Sequence, residues 1–312
     1  VNDKVYDGKV IFEAEGDKVL GYAELSFIPK EYPHLSKEAF PEEDPRRFVL
    51  EPLDGAFDEL KEEFAVDVKD IIGGREYVVE AVVKDREGNV SVERIETPYI
   101  REFENFGKVL YEKGVIIGAT YHVYYPDPLP WSELGPFAVH PLLGEYTSPD
   151  GIVISKHLDW ATGYGINTFF IYYPPTWQRD SERILENIKT LFSHPMSKQI
   201  YIAITYPVED RLLEAGVRPD EYGYFTISDL TQWRKILDDM RMLNTEFFNN
   251  KNYLRLNGKP VVFMGNSGSL KGNVTGFISD VKNTVNIYAI GQHAHPWAAS
   301  SSYTIDGSGG WI

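Results

Sequence analysis

The sequence predicts a multidomain chain: an N-terminal β-sandwich over residues 1–103, then an α/β barrel of the (β/α)8 TIM type over residues 104–312, incomplete at its C-terminus. Three observations predict this. Up to about Arg101, apolar residues alternate or run between turn residues, as strands do. From Gly114 onward, strand-like apolar runs alternate with helical periodicity, the pattern of a parallel sheet covered by helices. About 200 residues remain from Gly114 to Ile312, at the bottom of the range for a closed eight-stranded barrel. Six strands are legible there, so two more are expected beyond Ile312.

In the N-terminal part, "KVIFEAEG", "KVLGYAELSFIP", "RRFVLEPL" and "EFAVDV" carry the strand pattern. In "REYVVEAVVKDREGNVSVERIETPYI", Tyr77, Val79, Ala81 and Val83 alternate with Val78, Glu80, Val82 and Lys84. "DREGN" then turns the chain at Gly88, and "VSVERIETP" returns as the second arm of a hairpin. Over about 25 residues this resembles the last hairpin of fibronectin type III and immunoglobulin-like modules, which are β-sandwiches. The resemblance implies a spacer or packing module, with carbohydrate binding as the alternative.

"REFENFGKVLYEKG" is a linker with room for a short helix. Strands are then expected at Val115–Tyr125, "INTFFIYY", "QIYIAITY", "KPVVFMG", "VNIYAIGQ" and "SSYTID". Helices are expected between them. The first is capped by Ser148 with Pro149 at its first position, carries Ile154, Leu158 and Ala161 on one face, and ends at Gly163 and Gly165. His157 on it is a packing or surface residue. The later helices are "DSERILENIKTLFSHP", capped by Ser181, "SDLTQWRKILDDMRMLNTEFF", capped by Ser228, and "NVTGFISDVKN".

Composition narrows the partners. The chain is 43% hydrophobic and 25% charged, a globular balance. A net charge of −16 argues against nucleic acid and anionic membrane. No run of about 18 apolar residues exists to span a membrane. The absence of cysteine excludes disulfides, thiolate metal sites and cysteine nucleophiles. The start, "VNDKVYDG", has neither Met nor an apolar signal core and looks processed or trimmed.

A parallel barrel carries its site at the C-terminal strand ends. Those ends hold Tyr121, His122, Tyr124 and Tyr125; Tyr172 and Tyr173, with Trp177 beyond; Thr205 and Tyr206, followed by Glu209 and Asp210; Asn266 and Ser267; Gln292, His293, His295 and Trp297; and Asp306. Aromatic faces stack on the C–H faces of sugars, while amides, imidazoles and carboxylates bond their hydroxyls. The expected partner is therefore an oligosaccharide or polysaccharide. The expected binding residues are Tyr121, Tyr125, Tyr173, Trp177, Tyr206, His293 and Trp297. Glycoside hydrolysis needs two carboxyl groups flanking the bond. Asp306 and Glu209 are the candidates, ahead of Asp210 and Glu145. His293 and His295 form an H-x-H pair on one strand face that could hold zinc given a third ligand. No cofactor is expected, and no phosphate loop, G-x-S-x-G elbow or H-E-x-x-H motif is present.

"HPLLGEYTSPDGIVISKHLDWATGYGINTFFIYYPP" resembles glycoside hydrolase family 99, the endo-α-mannosidases and endo-α-mannanases. The family's L-G-x-Y-[ST]-S-x-D segment corresponds to Leu143–Asp150, and its strand ending in two prolines to Tyr172–Pro175. "NNKNYLRLNGKPVVFMGNSGS" resembles a second, less specific family segment. The resemblance spans about Gly114 to Ser269 and implies an extracellular or cell-surface hydrolase, endo-acting on α-mannosidic linkages. Two departures stand against it. Ala203 and Thr205 replace the His and Glu of the family's H-I-E-P-Y motif, and the catalytic E-W-x-E motif is missing. A non-catalytic carbohydrate-binding or surface-structural protein on a degenerate barrel, and a metal-dependent hydrolase, are therefore the alternatives.

Overall fold

A computed structural model describes residues 5–6, 9–40, 45–67, 71, 73–125, 141–176, 178, 180–292 and 306–309. The chain divides into two units, Val1–Glu104 with Phe137–Tyr146, and Asn105–Pro136 with Thr147–Ile312.

The first unit is built from β1 (Val5–Tyr6), β2 (Lys9–Glu15), β3 (Leu20–Pro29), β4 (Arg46–Leu50), β5 (Lys61–Asp67), β6 (Tyr77–Asp85) and β7 (Val90–Glu96). They form two antiparallel sheets, β1-β2-β5 and β4-β3-β6-β7. Phe12 and Phe64 from the first sheet and Leu25, Phe27, Leu50 and Val79 from the second bury into one core. Strand alternation makes this possible, since every second residue faces the same way. The β6–β7 turn places Gly88 at φ +90°, where a side chain would be strained. Asp85 Oδ1 accepts from the backbone N–H groups of Glu87 and Asn89 and closes that turn.

The second unit follows a strand–helix rhythm. Its elements are α1 (Phe106–Glu112), β8 (Gly118–Tyr121), α2 (Gly151–Gly163), β9 (Thr168–Tyr172), α3 (Ser181–Ser193), β10 (Tyr201–Pro207), α4 (Val208–Glu214), β11 (Phe225–Ile227) and α5 (Leu230–Glu246). Then come β12 (Arg255–Leu256), β13 (Lys259–Gly265), β14 (Leu270–Gly272), α6 (Val274–Thr284), β15 (Tyr288–Gln292) and β16 (Gly307–Gly309). β8, β9, β10, β13, β15 and β16 pair in that order, all parallel, which is the strand order of an α/β barrel wall. β11 and β14 form a separate parallel pair that sequence patterning did not show, because each is only three residues long.

The helix starts differ from expectation by one or two residues. Asp150, not Ser148, caps α2 and accepts from the N–H groups of Ile152 and Val153. Ser148 instead accepts from the backbone of Tyr125. Asp229, not Ser228, caps α5 in a reciprocal box with Gln232. Asp180 precedes α3 in a left-handed conformation and makes no side-chain cap, so Ser181 is the first helical residue. The strand expected at Val115–Tyr125 is shorter, only Gly118–Tyr121.

The sheet has two apolar faces. One packs on the helices: Ile171, Ile202, Ile204, Val262 and Met264 meet Leu158, Ile188, Trp233, Ile236 and Phe277. The other holds Ala203 and Val261 with Phe170, Tyr201 and Ile290. Gly118 is needed on that second face, because a Cβ there would sit 2.3 Å from the Phe170 ring. The N-terminal ends of the strands are plugged. Tyr111 of α1 stacks on Tyr201 at 4.0 Å, and Leu254 and Leu256 close the same end. The open end is therefore the C-terminal one. Phe277 is fully buried and edge-packed on Trp233. Phe277→Ala should lower unfolding stability by about 3–5 kcal/mol in a urea titration, with an unchanged denaturant slope.

Candidate functional site

At the C-terminal ends of β8, β9, β10 and β13 lies a cleft of about 400 Å³. Thr120, His122, Tyr172, Thr205, Pro207, Glu209, Asp210, Gly265 and Asn266 line it. The strands aim these side chains by alternation. Thr120 and His122, Phe170 and Tyr172, Ala203 and Thr205, and Phe263 and Gly265 share the face turned away from the helices. β10 runs directly into α4, so Glu209 and Asp210 fall in that helix's first turn, just past the strand end.

The Tyr172 hydroxyl donates to Asp210 Oδ2 at 2.5 Å. Burial first, then that bond and the charges of Asp210 and Glu209, hold the Tyr172 hydroxyl far above its ordinary pKa, so it stays a proton donor. The Asn266 amide donates to Glu209 Oε1. Asn266 sits at φ 52°, a left-handed conformation that asparagine tolerates, and this turns its amide toward α4. Thr205 is 3% exposed, and its Oγ1 has no hydrogen-bond partner among the described residues. A buried hydroxyl left without a partner is costly, and this one belongs to a residue of the cleft wall.

A second set of charges lies behind the cleft. Arg211 is 1% exposed; its guanidinium donates to Glu214 and to the Pro174 carbonyl, and its Nε lies 2.8 Å from Asp239. Glu214 also accepts from the backbone and hydroxyl of Thr176, fastening the loop after β9 to α4. The Tyr206 hydroxyl donates to Asp239 at 2.6 Å, and the Arg211 guanidinium stands 5.2 Å from the Tyr173 ring centre.

This placement corrects several expected binding residues. Tyr173 and Tyr206 are 6% and 0% exposed and stack on one another on the helix-facing side, away from the cleft. Burial and the Asp239 charge push the Tyr173 hydroxyl up to about 12. Tyr121 faces the helices too, stacked on Phe169 at 4.5 Å and bonded to His157 Nδ1 at 3.0 Å. Tyr125 packs its ring 5.3 Å from Tyr124 and does not line the cleft. Asp306 is at the wrong end of the sheet: its carboxylate bonds the N–H of Ala289 and pairs with Lys282 at 2.8 Å, beside the start of β15. Glu145 is exposed and belongs to the first unit. Trp177, His293, His295 and Trp297 lie outside the described residues. Among the described residues no group of three His, Cys, Asp or Glu could hold a metal ion.

Glu209, Asp210, Tyr172 and His122 were thus visible as strand-end residues and do meet in the cleft. Thr205 was passed over as a binding residue. Its signal was its position, two residues after Ala203 on the same strand face.

No family model matches the chain, and no curated protein matches it. Among solved structures it is similar to a GH99 endo-alpha-mannosidase from Bacteroides thetaiotaomicron, at 15% identity and TM-score 0.45, over 64% of this chain and 60% of that one. It is similar to a GH5 xyloglucanase from Bacteroides ovatus, at 10% identity and TM-score 0.38, over 95% and 64%. A family 39 glycoside hydrolase from Bacteroides cellulosilyticus WH2 matches at 10% identity and TM-score 0.34, over 91% and 48%. The chain spans under two thirds of the length of each. Likeness this distant does not assign family 99.

His157 gives a check on the packing beside the cleft-bearing strands. Burial pushes its pKa down to about 4, below the ordinary 6.5. The unfolded chain therefore binds the extra proton between those values, and stability present above pH 6.5 drains away as pH falls toward 4. His157→Gln should flatten that acid-side loss in thermal melts, and the His157 ring protons should titrate near pH 4 by NMR.

Proposed function

We propose that the second unit is a glycoside-hydrolase-type α/β domain whose cleft binds a glycan. The observation that carries this reading is the convergence of two carboxylates, Glu209 and Asp210, with Tyr172, Asn266, His122 and the unpartnered Thr205 hydroxyl at the C-terminal strand ends. That is where parallel α/β barrels carry their chemistry. Hydroxyl-rich ligands need such a mixture of fixed acceptors and donors. In the finer form of this reading the substrate is an α-mannosidic glycan cut internally, which the Leu143–Asp150 and Tyr172–Pro175 segments support by resemblance. The two sheets of the first unit, around their common core, are read as a β-sandwich serving as a spacer or packing module.

A second reading, glycan binding without turnover, has its own observation. Glu209 and Asp210 are neighbours on one turn of α4, whereas hydrolysis places its carboxyl groups on either side of the scissile bond, about 5–9.5 Å apart. No other carboxylate lines the cleft among the described residues.

Incubation with α-mannan and α-mannose oligosaccharides, followed by reducing-end release and by calorimetric binding, separates the two. On the hydrolase reading, wild-type protein releases shorter oligosaccharides, and Asp210→Asn and Glu209→Gln each lose about 10²-fold or more in rate while still binding. Binding with no release moves the conclusion to the second reading. Neither binding nor release, for these or for other glycans, sinks both.

A further inference from the structure

The charge inside the cleft is one-sided. Glu209 and Asp210 both face it, and each is bonded by a neutral donor, the Asn266 amide and the Tyr172 hydroxyl. Neither forms an ion pair among the described residues. Arg211, next in the chain, is turned the other way and is occupied by Glu214, Asp239 and the Pro174 carbonyl. No Lys or Arg is among the lining residues. Arg179, the one basic residue between β9 and α3, lies outside the described residues. An ionised carboxylate accepts on two oxygens, and one protein donor each leaves most of that capacity turned to the ligand. Two carboxylates that share a cleft, with no counter-cation among the described residues, attract positive charge and repel negative charge.

The Thr205 hydroxyl supplies the second requirement. It is buried, has no partner among the described residues and is part of the same cleft wall. A hydroxyl both donates and accepts, so its natural complement is another hydroxyl, not a bare cation.

Resting on the glycan reading above, we propose that the cleft takes an amino sugar with a free amine, its ammonium group held by Asp210 and Glu209 and a ring hydroxyl held by Thr205. An ammonium has three donors, enough to bridge two adjacent carboxylates. Uronic, sulfated and phosphorylated sugars are excluded by the same two charges.

The test is calorimetric titration of the whole chain with four disaccharides and one plain amine: a free-amine glucosamine disaccharide, its N-acetylated form, a mannose disaccharide, a galacturonate disaccharide, and spermidine. The free-amine disaccharide should bind about tenfold tighter than the N-acetylated and mannose forms, and the galacturonate form should not bind. Raising salt from about 0.05 M to 0.5 M should remove most of that advantage. So should raising the pH until the amine loses its proton. Asp210→Asn and Glu209→Gln should each shrink the amine preference about fivefold, and Thr205→Val should weaken all binding disaccharides alike.

Equal or weaker binding of the free-amine form, with the neutral disaccharides still bound, overturns this inference and leaves the glycan reading standing. Tight galacturonate binding overturns it too. Spermidine binding as tightly as the free-amine disaccharide reduces the site to a cation trap and overturns the sugar part. An amine preference that survives both carboxylate substitutions, or unchanged binding in Thr205→Val, removes the residue assignments. Failure of all four disaccharides to bind overturns this inference, and the glycan reading falls with it only when α-mannan and longer glycans also fail to bind. The wild-type comparison needs no variant to fold.

Discussion

Arg211 places a guanidinium, 1% exposed, at the junction of α4, β9 and α5, and the geometry of the cleft depends on it. The group stays charged at any ordinary pH, so its burial must be met by anions and carbonyls. Glu214, Asp239 and the Pro174 carbonyl meet it. Removing Arg211 takes away the buried cation that Glu214 and Asp239 share, at a cost of about 3–5 kcal/mol. The network therefore sets α4 against the end of β9. Tyr172 lies two residues before Pro174 and Asp210 one before Arg211, so the bond between them across the cleft is a consequence of the charges behind it.

The second constraint is the alternation of the parallel strands. On β10, Ile202, Ile204 and Tyr206 go to the helices, while Ala203 and Thr205 go to the other face. A shift of one position exchanges those sets completely. Small residues shape the second face: Gly118 admits the Phe170 ring, and Ala203 lies fully buried among larger neighbours. With Tyr111 and Leu254 plugging the strand starts, a polar cleft can form only at the strand ends. The aromatic residues that looked like a sugar platform, Tyr121, Tyr173 and Tyr206, are instead partners of the helix layer, where their hydroxyls meet His157 and Asp239 or sit beside Arg211.

Sequence patterning showed the longer strands, the helices α2, α3, α5 and α6, their order and the end of the sheet that carries polar groups, but not α4, β11, β12 or β14. Those properties are local: apolar periodicity, turn residues and the residues just beyond each strand. It also marked Glu209, Asp210, Tyr172 and His122 as strand-end residues. Which of the neighbouring side chains enter the cleft, and which are buried against helices, follows from the packing of the sheet. The physical reason is that "TFFIYY" and "YIAITYP" are apolar on both faces, because both faces are covered, and a strand buried on both sides shows no alternation from which its phase can be read. Asp306 and Thr205 needed the fold for the same kind of reason. Pairing with Lys282 and Ala289 puts the carboxylate at the plugged end, and lack of a partner for Oγ1 marks the hydroxyl at the open one.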